Sequence, residues 1–119
     1  MVTLNRIYTR AGDAGTTRLA TGAPVSKSHL RVEAYGAVDE ANACVGLARL
    51  HTADDAEFDA MLARIQNELF DLGADLSTPA RPDEAQGAML RIVEGQVTRL
   101  EAEIDRLNDR LPPLKSFVL

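Results

Sequence analysis

Hydrophobic residues recur at helical spacing through the second half of the chain. Between residues 55 and 76 nearly all the steps are of three or four positions, with one adjacent pair at 61 and 62: Phe58, Met61, Leu62, Ile65, Leu69, Leu72 and Leu76. Between residues 84 and 110 the steps alternate four and three, as in a coiled-coil seam: Val93, Val97, Leu100, Ile104 and Leu107. These patterns predict two amphipathic helices, over 55–76 and 84–110, with Asp83 and Gln86 as the capping pair of the second.

A third helix is predicted over residues 32–51, where small side chains allow a neighbour to approach closely. Its small residues are Ala34, Ala37, Ala41, Ala43, Gly46 and Ala48. Three antiparallel helices joined by short loops predict an all-α helical bundle, formed by one domain over 1–119. The helices occupy 32–111, between an irregular, glycine-rich loop at 1–31 and an apolar segment at 112–119.

The composition of the chain favours a globular protein over a disordered, membrane-spanning or nucleic-acid-binding one. The chain has 119 residues, 45% of them hydrophobic, and a formal net charge of −5. This balance is typical of a globular protein and argues against nucleic-acid binding, because little positive charge is available for a phosphate backbone. No apolar run is long enough to span a membrane, and no signal peptide opens the chain. A single cysteine, Cys44, is expected to be a small buried residue and suits a cytoplasmic location.

The amino-terminal loop contains a stretch whose residue types suit phosphate binding. Residues 9–17 read Thr-Arg-Ala-Gly-Asp-Ala-Gly-Thr-Thr. Glycines free backbone N–H groups to curl towards an anion, hydroxyls add donors, and Arg10 and Lys27 add positive charge. The Gly-Lys-Ser/Thr ending of a Walker A loop is missing. From these residues alone, a phosphate site and an ordinary surface loop both stay open.

Two acidic residues, Asp39 and Glu40, interrupt the small-residue helix. Asp39 and Asn42 lie three positions apart and are expected to share a face. A buried carboxylate needs a cation or several donors, so Asp39 is either a functional residue or part of an exposed acidic surface. His29 and His51 have no further ligand at a suitable spacing, and we predict no metal site from them.

Several segments together resemble one family. They are Ile7-Tyr-Thr-Arg-Ala-Gly-Asp-Ala-Gly-Thr-Thr17, Val25-Ser-Lys27, Arg31-Val-Glu-Ala-Tyr-Gly-Ala-Val-Asp-Glu-Ala-Asn42, Ile65-Gln-Asn-Glu-Leu-Phe-Asp-Leu-Gly-Ala74 and Leu111-Pro-Pro-Leu-Lys-Ser-Phe-Val-Leu119. In order and spacing the chain resembles the PduO-type ATP:cob(I)alamin adenosyltransferases over essentially its whole length.

The resemblance implies transfer of the 5′-deoxyadenosyl group of ATP to cob(I)alamin, giving adenosylcobalamin and triphosphate in vitamin B12 biosynthesis. It implies ATP, Mg²⁺ and cobalamin as ligands. The residues implied at the nucleotide are Thr9, Arg10, Ala11, Gly12, Asp13, Gly15, Thr17, Arg18 and Lys27. Two catalytic residues are implied. Asp39 would pair with an arginine of a neighbouring subunit, and Phe117 would pack beneath the corrin ring and keep the lower axial ligand off cobalt.

The resemblance also implies a larger assembly: a homotrimer of five-helix, ferritin-like up-down bundles with active sites between subunits. Handover of the product to an adenosylcobalamin-dependent mutase is a further implied partnership. About three of the five helices are present in residues 1–119, and the implied arginine-bearing helix is not among them. We therefore expect this chain by itself to be an inactive fragment that leaves part of the first helix uncovered, together with Leu114, Phe117, Val118 and Leu119. The alternative is a non-catalytic helical module for nucleotide binding or assembly.

Overall fold

A computed structural model describes residues 5–118 and contains three helices preceded by a small β-hairpin. The elements are β1 (Thr16–Arg18), β2 (Pro24–Ser26), α1 (Leu30–Arg49), α2 (Ala56–Ser77) and α3 (Glu94–Asn108). The helical bundle predicted from the sequence is confirmed. The antiparallel hairpin, which pairs Thr17 with Val25, is an addition to the irregular loop expected at 1–31. Residues 1–4 and Leu119, which belong to the first and last predicted segments, lie outside the described residues.

Helices α1 and α2 pack together through polar contacts as well as apolar ones. Asn42 Nδ2 donates to the carbonyl of Gln66 at 3.1 Å, and Gln66 Nε2 donates back to the carbonyl of Asn42 at 3.2 Å. A side chain at Gly46 would come within 3.0 Å of Gln66 Nε2, so this small residue permits close packing. Cys44, by contrast, is exposed. Its predicted burial is wrong, because the face of α1 that carries it points away from α2.

An ion pair closes the turn between α1 and α2. Arg49 donates from Nε and Nη2 to the two carboxylate oxygens of Asp59, each at 2.9 Å. The buried Thr52 donates its hydroxyl to the same carboxylate at 2.7 Å. Asp55 begins α2 by accepting the backbone N–H of Phe58 at 2.9 Å, the helix start that the sequence predicts within one residue.

Helix α3 begins at Glu94, so the prediction of a helix from residue 84 is wrong. Gly87 has a φ of +79°, which is incompatible with a right-handed helix. Asp83 and Gln86 therefore do not cap the helix. The N-cap is Val93, whose N–H donates to the side chain of Gln96 at 2.9 Å.

Helix α3 lies antiparallel along α2 through a ladder of ion pairs. Arg64 pairs with Glu103, Arg99 pairs with Glu68, and Arg106 pairs with Glu57 at 2.8 Å. Behind the ladder, apolar side chains of the two helices line a gap of about 180 Å³ together with Ile92: Ile65, Leu69, Leu72, Val97 and Leu100. Charges of alternating sign along each helix thus set the register between α2 and α3. The apolar faces of the two helices leave a gap between them.

Few side chains are deeply buried in the described part of the chain. Met61 is 5% exposed and Leu19 is 7% exposed. The predicted exposure of Leu114, Phe117 and Val118 is confirmed. Apolar surface of this extent on a folded chain usually marks contact with another element or subunit. Among the described helices, none is both long and apolar enough to cross a membrane.

The Arg49–Asp59 pair predicts a pH-dependent stability. Hydrogen bonds from Arg49 and then Thr52 lower the pKa of Asp59 from 3.8 to about 2. The charged carboxylate therefore stabilises the fold above the unfolded pKa, and this contribution is lost as the pH falls from about 4 towards 2. We expect Asp59→Asn to be less stable than the parent protein near neutral pH, with the difference shrinking over that window.

Thermal unfolding followed by circular dichroism across the pH range measures this difference. Asp54→Asn, which removes an equal charge from an exposed position in the same turn, is the matched control and should show no such window. A constant difference between Asp59→Asn and the parent at every pH would contradict the assigned ion pair.

Candidate functional site

A cleft of about 380 Å³ opens between the amino-terminal loop and the β-hairpin. The residues that line it are Thr9, Ala11, Gly12, Thr16, Thr17, Arg18, Pro24 and Lys27. Most of the residues predicted for the nucleotide are thus brought together in one place. Arg10, Asp13 and Gly15, also predicted, lie in the same loop but are not part of the lining.

The hairpin positions Lys27 over the loop. Immediately beyond the paired strands, the N–H of Lys27 donates to the carbonyl of Gly15 at 2.9 Å. The Lys27 side chain then crosses Gly12: a Cβ atom at that glycine would lie 3.0 Å from Lys27 Cε and 2.8 Å from the carbonyl oxygen of Thr16. The absence of a side chain at Gly12 therefore allows the lysine to reach the cleft.

Two further backbone features shape the loop. Gly15 has a φ of +86°, a conformation that glycine adopts without steric cost, and its N–H donates to the carbonyl of Gly12 at 3.1 Å. Arg10 has a φ of 61°, which is uncommon for a residue with a side chain. Its guanidinium lies 5.5 Å from the ring centroid of Tyr8, within the range of a cation–π contact.

The chemistry of the cleft suits an anion with several oxygen atoms. Lys27 and Arg18 supply positive charge, while Thr9, Thr16 and Thr17 supply hydroxyl donors. Arg18 also donates from Nη1 to the carbonyl of Gly22 at 2.8 Å, which holds its side chain across the hairpin turn. Among the described residues there is no group of three or more His, Cys, Asp or Glu side chains placed to hold a metal ion.

Sequence reasoning missed two lining residues, Thr16 and Pro24. Thr16 belongs to the glycine-threonine stretch, so the motif itself contained a signal for it. Pro24 becomes part of the cleft only because β2 pairs with β1 and places it opposite Arg18. Strands of three residues are too short to produce a recognisable alternation of polar and apolar positions.

Asp39 lies on a second cleft, of about 310 Å³, between α1 and the carboxyl-terminal half of α2. The other residues lining this cleft are Tyr35, Phe70, Gly73, Ala74 and Ser77. Asp39 is exposed among the described residues, so its carboxylate is not a buried group that requires a cation or several donors within this part of the chain. Asn42 contacts Gln66 instead of sharing a site with Asp39.

Phe117 follows α3 and is 94% exposed, outside the linings of both clefts. An aromatic side chain in this state has no apolar partner within the described part of the chain. The structure therefore presents the two implied catalytic residues on open surfaces and six of the nine implied nucleotide residues around a formed cleft.

Comparison with known proteins relates the whole chain to one family. Residues 7–119 match the family described as cobalamin adenosyltransferase. The corrinoid adenosyltransferase of Mycobacterium tuberculosis is 48% identical over 118 residues, which are 99% of this chain and 61% of the relative. The corrinoid adenosyltransferase PduO of Salmonella typhimurium is 44% identical over 113 residues, which are 95% of this chain and 33% of that protein.

Solved structures give the same relation. A variant PduO-type ATP:corrinoid adenosyltransferase from Lactobacillus reuteri, complexed with cobalamin and ATP, superposes with a TM-score of 0.83 at 34% identity. The match covers 96% of this chain and 62% of that one. The chain thus spans about three-fifths of the length of the mycobacterial relative and of this structure.

The close approach at Gly12 predicts that an added methyl group disturbs the hairpin. In Gly12→Ala the new Cβ would meet the Thr16 carbonyl at 2.8 Å, a backbone atom that cannot move without shifting β1. We expect faster hydrogen exchange of the Lys27 amide, measured by NMR. Gly95→Ala, where no atom lies within 4 Å, should leave this amide unchanged. Equal exchange in the two variants would show that the loop accommodates a side chain at residue 12.

Proposed function

The chain belongs to the cobalamin adenosyltransferase family, and from this we propose that the whole protein transfers the 5′-deoxyadenosyl group of ATP to cob(I)alamin. The products are adenosylcobalamin and triphosphate. The observation that carries the proposal is the cleft beneath Lys27, whose charged and hydroxyl-bearing lining suits a polyphosphate. The relative complexed with cobalamin and ATP supports the choice of both substrates.

The amino-terminal loop would bind the triphosphate of ATP. Lys27 acts as a mobile point charge on phosphate oxygens, and Arg18 adds a planar donor group. The threonine hydroxyls and the backbone N–H groups freed by glycine complete the set of donors. Mg²⁺ prefers oxygen ligands and is commonly bound through substrate phosphates, so it would enter with the triphosphate, and the loop would contact the complex.

Alkyl transfer requires an in-line approach of the two substrates. The electron pair of Co(I) forms a bond to C5′ of ATP, and the C5′–O bond breaks with its electrons leaving on the triphosphate. The protein lowers the barrier by orienting C5′ and by stabilising the negative charge that develops on the departing group. Lys27 and Arg18 are cationic residues that line the cleft, and they would stabilise this charge.

Asp39 and Phe117 would serve the corrinoid. An exposed carboxylate on a cleft can pair with an arginine of a neighbouring subunit, and that pairing would place the active site between subunits of a homotrimer. Phe117 would lie beneath the corrin ring and exclude the lower axial ligand, which makes the cobalt easier to reduce. The exposure of both side chains is consistent with surfaces that a partner or ligand covers. We place the reaction in the cytoplasm, with handover of the product to a mutase.

Lys27→Ala should weaken ATP binding to the whole protein by about 1–3 kcal/mol, the cost of losing a charged hydrogen bond. Isothermal titration calorimetry measures this change. Lys27→Arg retains the charge and should bind ATP more tightly than Lys27→Ala. Arg110→Ala, which removes a cation after the end of α3, is the control and should leave the affinity unchanged. Equal affinities of Lys27→Ala and the parent would remove Lys27 from the nucleotide site.

Asp39→Asn should lower turnover on the order of 10²-fold, because a partner cation would lose its charged acceptor at the reacting centre. Turnover is followed as loss of the Co(I) absorbance with chemically reduced cob(I)alamin, and thermal unfolding is measured in parallel. Glu40→Gln alters the exposed acid next to it and is the matched control. A fall in turnover shared by both variants, or absent from Asp39→Asn, would contradict a specific role for Asp39.

A further inference from the structure

The carboxyl-terminal turn of α2 is held by Arg91, which reaches it from the segment before α3. Arg91 Nη1 donates to the carbonyl of Thr78 at 2.6 Å and to the carboxylate of Asp75 at 2.7 Å. Its Nε and Nη2 donate to the two carboxylate oxygens of Glu84, at 2.8 and 2.5 Å. The N–H of Ile92 completes the contact by donating to Asp75 at 2.8 Å. Arg91 thus joins the end of α2 to the following loop.

The same turn of α2 also forms a hydrogen bond with the hairpin of the candidate nucleotide site. The N–H of Ala20 donates to the carbonyl of Ser77 at 3.0 Å. Leu19, the residue before it, is one of the few deeply buried side chains of the described region. Arg31 of α1 donates to the neighbouring carbonyl of Leu76 at 2.9 Å. The hairpin, α1 and the α2–α3 segment therefore meet on consecutive carbonyl groups.

These contacts supply hydrogen-bond donors to carbonyl groups at the end of a helix. The last carbonyl groups of a helix lack partners within the helix, and they carry the negative end of its dipole. Arginine side chains supply both the donors and the positive charge. Burial alone would raise the pKa of Asp75, but the hydrogen bonds from Ile92 and Arg91 outweigh it, so the pKa is lowered. Arg91 also lowers the pKa of Glu84. Both carboxylates therefore favour their charged forms beside the arginine.

We propose that Arg91 is a positioning residue for the nucleotide site. It orders Ser77 and Thr78 at the end of α2, and Ser77 in turn holds the turn at Ala20 between β1 and β2. Because β1 carries Arg18 and β2 leads directly into Lys27, the orientation of the hairpin sets where both cations lie. Arg91 does not line the cleft and acts only through this chain of contacts. The inference rests on the proposed binding of ATP.

The test compares variants of the whole protein by steady-state kinetics and by direct titration with ATP. Arg91→Gln should raise both the KM and the Kd for ATP about tenfold and should also lower kcat, because Lys27 and Arg18 stabilise the departing triphosphate, while the KM for cob(I)alamin stays within twofold. Arg91→Lys keeps the charge but lacks the planar set of three nitrogens that bonds Glu84, Asp75 and Thr78 at the same time, and it should lie between Arg91→Gln and the parent. Arg106→Gln, which breaks an ion pair between α2 and α3, is the matched control and should leave the KM for ATP unchanged.

Hydrogen exchange gives a second readout that activity does not affect. The Ala20 amide should exchange faster in Arg91→Gln than in Arg106→Gln, because its acceptor on Ser77 is no longer held. If Arg91→Gln does not fold, Glu84→Gln replaces it, and a twofold to fivefold rise in the KM for ATP with faster Ala20 exchange supports the proposal.

Three results would overturn the inference. An unchanged KM for ATP in the folded Arg91 variant, or in Glu84→Gln if that variant is used, removes the positioning role while the proposed function stands. Equal rises in the KM for both substrates, accompanied by lower thermal stability, indicate a purely structural role. Failure of the parent protein to bind ATP contradicts the proposed function itself, and the positioning role falls with it.

Discussion

The end of α2 is the constraint on which the arrangement of the described residues depends. A helix finishes with carbonyl groups that need donors. The hydroxyls of Ser77 and Thr78 bond the carbonyl of Ala74 locally, whereas the carbonyls of residues 76, 77 and 78 take donors from distant parts of the chain. Ala20, Arg31 and Arg91 each supply one. Because the three contacts fall on consecutive residues, a shift in any one of them changes the environment of the others. The hairpin is thereby tied to the helices by a hydrogen bond at Ala20, next to the buried side chain of Leu19.

The candidate nucleotide cleft is built from short-range geometry on this support. Gly12 permits the approach of Lys27, Gly15 permits the sharp turn before β1, and the hairpin register carries Lys27 back over the loop. No part of this arrangement needs a large hydrophobic core. The geometry of the site therefore depends on a few hydrogen bonds. The residues that orient the hairpin are as important for this geometry as those that line the cleft.

The apolar surfaces complement this polar framework. Phe70 stands beside Asp39 on one open cleft, and Phe117 and Val118 follow α3 without cover among the described residues. The matched relatives are longer than this chain, and the proposed active site lies between subunits. An exposed aromatic ring such as Phe117 is unfavourable on the surface of an isolated protein. Together with the exposed carboxylate of Asp39, it would suit a site that a partner subunit and a corrinoid complete.

Periodicity along the sequence determined the helices, because each helix turn brings together residues three and four positions apart. Asp55 and the apolar series from Phe58 to Leu76 located α2 to within a residue. The residue types of the loop likewise indicated anion chemistry, and the family resemblance named the substrates. The tertiary structure decided the rest. Helix α3 starts at Glu94 because Gly87 leaves the helical region and Arg91 and Ile92 bond to Asp75. Such contacts join residues far apart in sequence, and no local pattern records them.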